Sequence, residues 1–510
     1  MTAPVESAPA APGIVDDVRV LLDDAIEVYR DEPDAVAALS AQRRRLDEPL
    51  RIALVGRVKA GKSTLLNALV GERLAPTDAG ECTRVVTWYR HGAVPRVALH
   101  PVDGAPRVLP VRRVEGALQL DLAGTPAEEV DRLVVDWPTG GLAAATLLDT
   151  PGISSLDVGN SARAWALLDE EELPGADAVV FLTRQMQPED LDFLARFQEA
   201  TGATGVHTTT ITVLSRADEV GAGRVDALLA AQRVARRMSE DPAVRALSQA
   251  VVPVAGLVGL AGRMLRHRDF VTLHSLATAD RAALDAMLLT ADRFCRAEAP
   301  VPVSRELRVA LLERLGLFGI RLAVALIRTG VPDAGALGDQ LVRRSGLAEL
   351  QRLLAVHFVR RSAALRAATA VRLVARLLRQ RPLPAAGGLA AHLERIQVGS
   401  QELAELELLA RSRAVDGPFP AGLRAEAERL LGADGPAPAE RLGLAADAPA
   451  DQVRSAATAA LDRWRERADD PRATRATVDA CEALVRCCES ILAAPDGAPG
   501  SGTGPAQPAP

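Results

Sequence analysis

The pattern of apolar positions changes character at about residue 260. Before that point, short apolar runs rich in β-branched residues alternate with helical periodicity; after it, helical segments follow one another to about residue 493. The predicted strands are 51–55, 84–90, 131–137, 145–149, 178–184, 208–215 and 250–254, and the helices between them are 62–72, 160–171, 188–200 and 223–238. Apolar strands separated by helices are typical of a buried sheet covered by helices. We therefore predict an α/β fold with a mainly parallel sheet, followed by an α-helical region.

Helical segments flank the predicted sheet on both sides. Apolar residues recur at helical spacing from Ile14 to Arg45, which predicts two helices before the first strand. The longest uninterrupted helical pattern runs from Glu349 to Arg381, and a single helix there would be roughly 50 Å long. The predicted division is a tail at 1–13, neck helices at 14–48, an α/β head at 49–300, a helical neck and trunk at 301–493, and a second tail at 494–510.

Composition favours a folded cytoplasmic protein and disfavours nucleic acid as a partner. Hydrophobic residues make up 48% of the 510 positions, which is enough to bury a core. The net charge is −6 and aromatic residues are only 3%, so neither a basic surface nor a stacking platform is expected. The five cysteines lack zinc-ligand spacing, and residues 1–13 do not resemble a signal peptide. No run of about 18 apolar residues predicts a membrane span.

The first predicted strand leads into a phosphate-binding loop. The sequence GRVKAGKS has the spacing Gly-x4-Gly-Lys-Ser, and it lies between an apolar strand and a helix, which is the context that the motif requires. Backbone N–H groups of such a loop hold phosphates at a helix N-terminus. Lys62 is expected to reach the β- and γ-phosphates and Ser63 to bind Mg²⁺, with Gly56, Gly61 and Thr64 completing the loop.

A second strand end carries an acidic residue suited to the same metal. In LLDTPG, Asp149 ends an apolar strand downstream of the phosphate-binding loop. We expect Asp149 to hold Mg²⁺, directly or through water, and the N–H of Gly152 to contact the γ-phosphate.

A third strand end predicts the choice of base. In VLSRADE, Asp218 can accept hydrogen bonds from the N1–H and the exocyclic amine of guanine, whereas adenine offers no such donor pair. Ser215 and Arg216 precede it, and the Arg216 side chain can lie over the base. The segment VPVAGL at 252–257 occupies the place of a further base-contacting loop. An ordinary turn aspartate is the alternative for Asp218, but the order of motifs predicts GTP and GDP as ligands.

The loop between the first two motifs contains three candidate switch threonines. We expect Thr83 to close on Mg²⁺ and on the attacking water, and Thr77 and Thr87 are alternatives. An ordinary loop threonine, with no role in hydrolysis, is the other interpretation.

Three segments resemble the dynamin superfamily: AGKSTLLNAL at 60–69, LAPTDAGECT at 74–83 and DTPG at 149–152. The likeness extends to the actinobacterial isoniazid-inducible dynamin-like proteins, in particular the shorter IniC-type members, through 51–67, 75–91, 215–228 and 311–320. It implies a GTPase head on a helical neck and trunk. It also implies heads that pair across bound GTP and a trunk that remodels membrane, in a stress response at the cytoplasmic membrane.

The chain departs from that family at the phosphate-binding loop. Lys59 and Lys62 are the only lysines among 60 basic residues, and the resemblance places a serine that helps to hold a monovalent cation at the position of Lys59. We therefore expect the Lys59 ammonium to replace that cation in catalysis; the alternative is that Lys59 only changes the charge at the rim of the loop. Neither Val58 nor Ile153 can orient water, which leaves that task to Thr83 and main-chain groups.

The resemblance implies self-association through the heads, and it allows a longer sister dynamin-like protein and an anionic membrane surface as partners. Segment 383–391 follows a basic helix end and could contact lipid, although a plain helix–helix turn is the alternative. The apolar run 315–327 is a second candidate, with core packing as its alternative. Two other functions compete with membrane action: a GTPase linked to ribosome assembly or RNA, and a nucleotide-switched protein scaffold.

Overall fold

The computed structural model describes residues 13–77, 85–114, 116–151, 176–200, 209–221, 223–224 and 226–493. They belong to two compact units. The first, which we call the head unit, lies within residues 50–355, and the second, the helical unit, comprises residues 13–49 and 356–493. In the described parts of the chain no helix is long and apolar enough to cross a membrane.

The head unit contains a nine-stranded mixed sheet and a separate hairpin. The strands are β1 (Leu50–Gly56), β2 (Val86–His91), β3 (Arg96–Pro101), β4 (Arg107–Leu109), β5 (Arg112–Val114), β6 (Ala117–Gln119), β7 (Val130–Trp137), β8 (Ala145–Asp149), β9 (Ala178–Thr183), β10 (Thr210–Ser215) and β11 (Val251–Val254). The sheet order is β11-β10-β9-β1-β8-β2-β7-β3-β4, and β5 pairs with β6. The half from β11 to β8 is parallel, whereas β2 is antiparallel to β8 and β3 is antiparallel to β7 and β4.

Helices account for most of the remaining described chain. In the order of the sequence they are α1 (Ile14–Val28), α2 (Pro33–Arg45), α3 (Lys62–Val70), α4 (Pro188–Ala200), α5 (Ala227–Glu240), α6 (Pro242–Leu247), α7 (Gly256–Arg263), α8 (His267–Ala277), α9 (Arg281–Met287), α10 (Ala291–Phe294), α11 (Arg305–Arg328), α12 (Ala334–Arg344), α13 (Leu347–His357), α14 (Ser362–Gln380), α15 (Gly387–Gly399), α16 (Gln401–Arg413), α17 (Ala421–Leu430), α18 (Pro438–Arg441), α19 (Ala450–Ala468) and α20 (Arg475–Ala493).

The predicted strands are confirmed, and the sheet is mainly parallel as expected. The sequence missed four of the described strands: β3 and β4, which lie at one end of the sheet, and β5 and β6, which form the separate hairpin. Prolines close to both ends of β3 interrupt its apolar run, and the other three strands are only three residues long. The predicted helix at 160–171 lies outside the described residues.

The head unit continues past residue 300, where the sequence placed the end of the head, to Ala355. The reason is that α11 packs into the same core as α7, α8 and α12, with Leu315, Phe318, Ile320 and Val324 buried there. The run 315–327 is therefore core, which was the alternative to membrane contact. Within α11 the backbone bends at Gly316, whose φ is 66° and ψ is 170°.

The prediction of one helix from Glu349 to Arg381 is wrong. The chain forms α13, a short 3-10 turn at Val359–Arg361, and then α14. The break is held by the Arg361 guanidinium, which donates hydrogen bonds to the carbonyls of Leu431 and Gly432 at the end of α17. Burial lowers the pKa of Arg361 to about 10. No Gly or Pro marks the break in the sequence, and the contact found there joins residues about 70 positions apart.

The helical unit has two cores. In one, α1 and α2 pack against α14 and α15; in the other, Trp464 packs against Phe419 with ring centroids 5.4 Å apart. The candidate membrane segment at 383–391 contains the turn between α14 and α15, where Tyr29 donates a hydrogen bond of 3.0 Å to the Arg381 carbonyl and Leu389 is buried. Pro384, Ala385 and Gly388 in this segment are exposed, so lipid contact there stays a prediction.

Candidate nucleotide-binding site

The loop between β1 and α3 has a backbone that its sequence explains. A Cβ on Gly56 would lie 2.3 Å from the carbonyl oxygen of Leu182 on the neighbouring strand β9, so only glycine fits there. Gly61 has φ of 95°, a value that glycine adopts without strain, and Lys59 has φ of 63°. The N–H of Ala60 closes the turn with a 3.1 Å hydrogen bond to the Arg57 carbonyl. Helix α3 begins at Lys62, two residues after this turn.

The Lys62 side chain lies inside this loop. Its Nζ donates to the carbonyl oxygens of Gly56, at 2.9 Å, and of Arg57, at 3.3 Å, and only 8% of the residue is exposed. Burial lowers the pKa of Lys62, while the charge of Asp149 opposes that change. A buried ammonium beside backbone N–H groups at a helix N-terminus is an arrangement that attracts phosphate.

Ser63 and Asp149 meet where β1 and β8 run side by side. The Ser63 hydroxyl donates to Oδ2 of Asp149 at 2.8 Å. The other oxygen, Oδ1, is buried without a hydrogen-bonding partner in the part of the chain that the structure describes. Burial raises the pKa of Asp149, and Lys62 opposes the rise. A hydroxyl and an unsatisfied carboxylate oxygen are ligands that Mg²⁺ prefers, so these residues fit that ion.

The loop after β10 is tied to the phosphate-binding loop. Arg216 has a left-handed backbone with φ of 52°, and its Nη2 donates a 3.0 Å hydrogen bond to the carbonyl of Lys59. Its Nη1 forms a 2.7 Å ion pair with Glu219. The Ser215 hydroxyl is buried and donates to the Thr183 carbonyl at 3.2 Å. The two loops thus hold each other in position.

A cavity of about 170 Å³ lies between these loops. Gly61 and Thr64 line it from the phosphate-binding loop, Asp218 lines it from the loop after β10, and Gly256 and Leu257 line it from the segment after β11. The Asp218 carboxyl is half-buried in the cavity wall, and this burial raises its pKa. Segment 252–257 therefore lines the same cavity as the phosphate-binding loop and the loop after β10, next to the loops with which the sequence grouped it.

The candidate switch threonines have different outcomes. Thr83 and Gly152 lie outside the described residues. Thr87 is buried within β2, with its hydroxyl 3.5 Å from the Val85 carbonyl, so it does not belong to a mobile loop. Thr77 is exposed, and the chain just before it is held by the buried side chain of Asn67.

Sequence reasoning missed several contacts that position this site. Thr150 donates to the Leu54 carbonyl at 2.8 Å, which joins the ends of β8 and β1. Arg57 forms a 3.1 Å ion pair with the buried carboxylate of Asp190 on α4. The hydrogen bond from Arg216 to the Lys59 carbonyl was also missed. No local signal marks these contacts, since each joins residues far apart in the chain.

Comparison with known proteins agrees with these motifs. Residues 52–115 match the model of the dynamin family. The isoniazid-induced protein IniC of Mycobacterium tuberculosis is 41% identical over 490 residues, covering 94% of this chain and 98% of that protein. A bacterial dynamin-like protein of Nostoc punctiforme is 32% identical over 149 residues, 27% of this chain and 21% of that protein.

A solved structure of an oligomerised bacterial dynamin pair superposes with a TM-score of 0.31 at 13% identity, covering 94% of this chain and 73% of that one. The similarity to IniC extends over nearly the whole length of both chains. The chain therefore belongs to the dynamin superfamily, in the group of bacterial dynamin-like GTPases that includes IniC.

Proposed function

We propose that the head unit binds GTP with Mg²⁺ at the end of β1 and hydrolyses it through pairing with a second head, and that this cycle drives membrane remodelling. The observation that supports the site most directly is the Asp149 carboxylate, with one oxygen bound by Ser63 and the other buried without a partner among the described residues. An unsatisfied buried carboxylate oxygen costs free energy unless a ligand such as a metal ion occupies it.

Each residue then has a defined task. Lys62 neutralises charge on the β- and γ-phosphates, and backbone N–H groups from Gly61 onward hold their oxygens. Ser63 and Asp149 hold Mg²⁺, which when bound offsets the charge that develops on the phosphates. Asp218 accepts the guanine N1–H and amine hydrogen bonds, and the Arg216 side chain spans from the base loop to the phosphate-binding loop. We assign the attacking water to Thr83 and the γ-phosphate contact to the N–H of Gly152.

Head pairing is supported by the surface beside the phosphate-binding loop. Val58 is 56% exposed, and Lys59 is exposed next to it. An exposed apolar side chain beside a nucleotide site is available to a second copy of the head. Pairing there would cover the nucleotide and exclude water from the reacting groups.

The concentration dependence of GTP hydrolysis tests head pairing. We expect turnover per molecule to rise with protein concentration, because only paired heads are fully active. Val58→Ala, which adds no charge to the phosphate-binding loop, is expected to flatten this dependence with little change in GTP affinity, and Leu229→Ala, at an exposed position on α5, is the matched control. Turnover that is independent of concentration in the unaltered chain contradicts the proposal.

We also propose that the Lys59 ammonium takes the place of a monovalent cation in catalysis. The left-handed backbone of Lys59 and the hydrogen bond from Arg216 to its carbonyl fix the main chain from which this side chain extends. Hydrolysis should therefore proceed at the same rate in sodium, potassium and choline salts. Lys59→Ser should slow hydrolysis with little loss of GTP affinity, and potassium should restore part of it. Strong potassium dependence of the unaltered chain excludes this role.

The place of action is proposed to be the inner face of the cell membrane, with a longer sister dynamin-like protein as a further partner. Flotation with anionic liposomes, with and without a non-hydrolysable GTP analogue, tests the membrane part. We expect co-flotation in the GTP-bound state. Its absence in both states favours a nucleotide-switched protein scaffold, and co-purifying RNA favours an RNA-linked GTPase.

A further inference from the structure

A second and larger cavity lies in the head unit, away from the residues assigned to the nucleotide. Its volume is about 770 Å³, within the range of roughly 300–1,000 Å³ that is common for ligand pockets. One part of its wall is apolar and comes from α7, from the chain after it and from α11, including Leu260, Met264 and Val309. The proposed nucleotide cycle assigns it no task.

The charged part of the wall is dominated by arginine. Five arginines and three acidic residues line the cavity, so its formal charge is +2. Arg73 and Arg266 form no ion pair with a carboxylate among the described residues. Both lie near the turn of the β5–β6 hairpin, because the Arg73 carbonyl accepts a hydrogen bond from the Leu118 N–H and a Cβ on Gly116 would lie 3.9 Å from Nη2 of Arg266.

The acidic residues do not cancel these two arginines. Asp269 is buried and already held by Arg314, whose Nη1 lies 2.7 and 2.8 Å from its two oxygens. Glu306 and Glu313 are exposed on α11, and among the described residues neither forms an ion pair with Arg73 or Arg266. Within the described residues, the cavity therefore combines an apolar wall with two guanidinium groups that have no carboxylate partner.

Two parallel connections link this cavity to the nucleotide site. Helix α3 begins at the phosphate-binding loop and is followed by Arg73, and α7 begins at Gly256, which lines the nucleotide cavity, and reaches the second cavity at Leu260. The two helices lie side by side, since a Cβ on Gly256 would be 3.7 Å from Cγ2 of Thr64. Each helix is roughly 12–14 Å long.

The bend in α11 gives a third connection. Leu315 lines the second cavity, and a Cβ on the next residue, Gly316, would lie 3.3 Å from Cδ2 of Leu257, which lines the nucleotide cavity. A ligand that changes the packing of α11 therefore acts on a residue of the nucleotide site.

We propose that this cavity binds a single-chain anionic amphiphile, with its phosphate or carboxylate head on Arg73 and Arg266 and its alkyl chain on the apolar wall, and that its occupancy changes the affinity of the head for guanine nucleotide. Guanidinium groups bind such heads through paired hydrogen bonds. The coupling rests on the proposed nucleotide site, whereas binding of the amphiphile does not.

Isothermal titration calorimetry of the full chain without nucleotide, with decyl phosphate below its critical micelle concentration, tests the binding. We expect saturable binding of one molecule per chain, and little binding of decanol or decyltrimethylammonium. The double variant Arg73→Ala/Arg266→Ala should weaken binding by about tenfold or more, since two charged hydrogen-bonding groups are lost. Arg236→Ala, at an exposed position on α5, is the control, and thermal unfolding of each variant checks folding.

If decyl phosphate does not bind saturably, or if the double variant binds it equally well, the proposed amphiphile site is wrong. This conclusion does not depend on whether the chain binds a nucleotide. The coupling is measured as the GDP dissociation constant with and without saturating decyl phosphate, and we expect a change of about fivefold or more. GDP binding that is unchanged by decyl phosphate overturns the coupling alone.

Flotation with vesicles containing a phosphate-monoester lipid distinguishes the two possible sources of the amphiphile. Flotation that depends on the two arginines indicates a bilayer lipid, and binding of decyl phosphate without flotation indicates a free amphiphile.

Discussion

Buried charges are treated differently in the two compact units. In the head unit, Lys62 is buried against carbonyl oxygens and the Asp149 carboxylate keeps one oxygen without a partner among the described residues. In the helical unit, Glu405 accepts hydrogen bonds from Arg441 at 2.8 Å and from the Cys487 thiol at 3.2 Å. A buried carboxylate oxygen is therefore left without a partner in one unit, where we propose a metal ligand, and the carboxylate is matched internally in the other.

This difference in how buried charges are partnered distinguishes residues that serve ligand binding from residues that serve stability. A buried charge without an internal partner lowers the stability of the folded chain until a ligand binds, so it is retained for the ligand. A buried charge that is matched within the fold orders the packing around it, and removing one member leaves the other unpaired. Substitutions in the two units should therefore have opposite effects on activity and on stability.

The largest effect is expected for Asp149→Asn. Loss of the carboxylate should reduce GTP hydrolysis by about 100-fold or more, because an electrostatic contact to the reacting phosphates is lost. The melting temperature without nucleotide should change little, since the relief of removing a buried charge is offset by the loss of its attraction to Lys62, while the amide oxygen can still accept from Ser63. A marked fall in melting temperature would show that this carboxylate is structural and would remove the contrast between the two units.

The reverse result is expected for Glu405→Gln. Its loss should destabilise the helical unit by about 2–3 kcal/mol, because Arg441 is left buried without a carboxylate. Chemical denaturation measures this, and GTP affinity should be unchanged. The control is Glu489→Gln, which removes an exposed pair with Arg465 and should cost less than about 0.5 kcal/mol. If Glu405→Gln and Glu489→Gln lower the free energy of unfolding equally, Glu405 is not a buried partner on which the stability of the helical unit depends.

The sequence predicted those parts of the molecule that local patterns determine. Strands such as β1, β8 and β9 are mostly apolar because helices and neighbouring strands cover them. The residues that follow β1 or end β8 include Lys62, Ser63 and Asp149, which the structure brings together. It missed β3 and β4, whose pairing is antiparallel and lies at the end of the sheet.

The remaining errors come from contacts between distant residues. The break between α13 and α14 depends on Arg361 reaching the end of α17, and no local residue signals it. The hydrogen bond from Arg216 to the Lys59 carbonyl joins residues 157 positions apart. Hydrophobic periodicity reports on the local structure of one segment at a time, so it does not predict a contact between two distant segments.

A smaller effect sharpens the comparison within the helical unit. Burial raises the pKa of the Cys488 thiol to about 11 and raises that of Cys487 as well. In the unfolded chain these thiols ionise near pH 8.5, so the unfolded state loses protons first and stability should fall as the pH rises from about 8.5 towards 11. Replacing both residues with alanine should weaken that dependence, and an unchanged pH profile contradicts it. Maleimide should label both thiols in the native chain far more slowly than in denaturant.

The account depends on a guanine base in the cavity beside Asp218, and a change of nucleotide preference tests this most directly. Asp218→Asn should weaken GTP binding by about 100-fold, because two hydrogen bonds to a charged acceptor are lost. The same variant should bind xanthosine triphosphate more tightly than the unaltered chain does, since an amide can donate to the xanthine 2-carbonyl. Competition binding with GTP, xanthosine triphosphate and ATP measures both changes. An unaltered chain that binds ATP as tightly as GTP, or an Asp218→Asn variant with unchanged preference, contradicts the account.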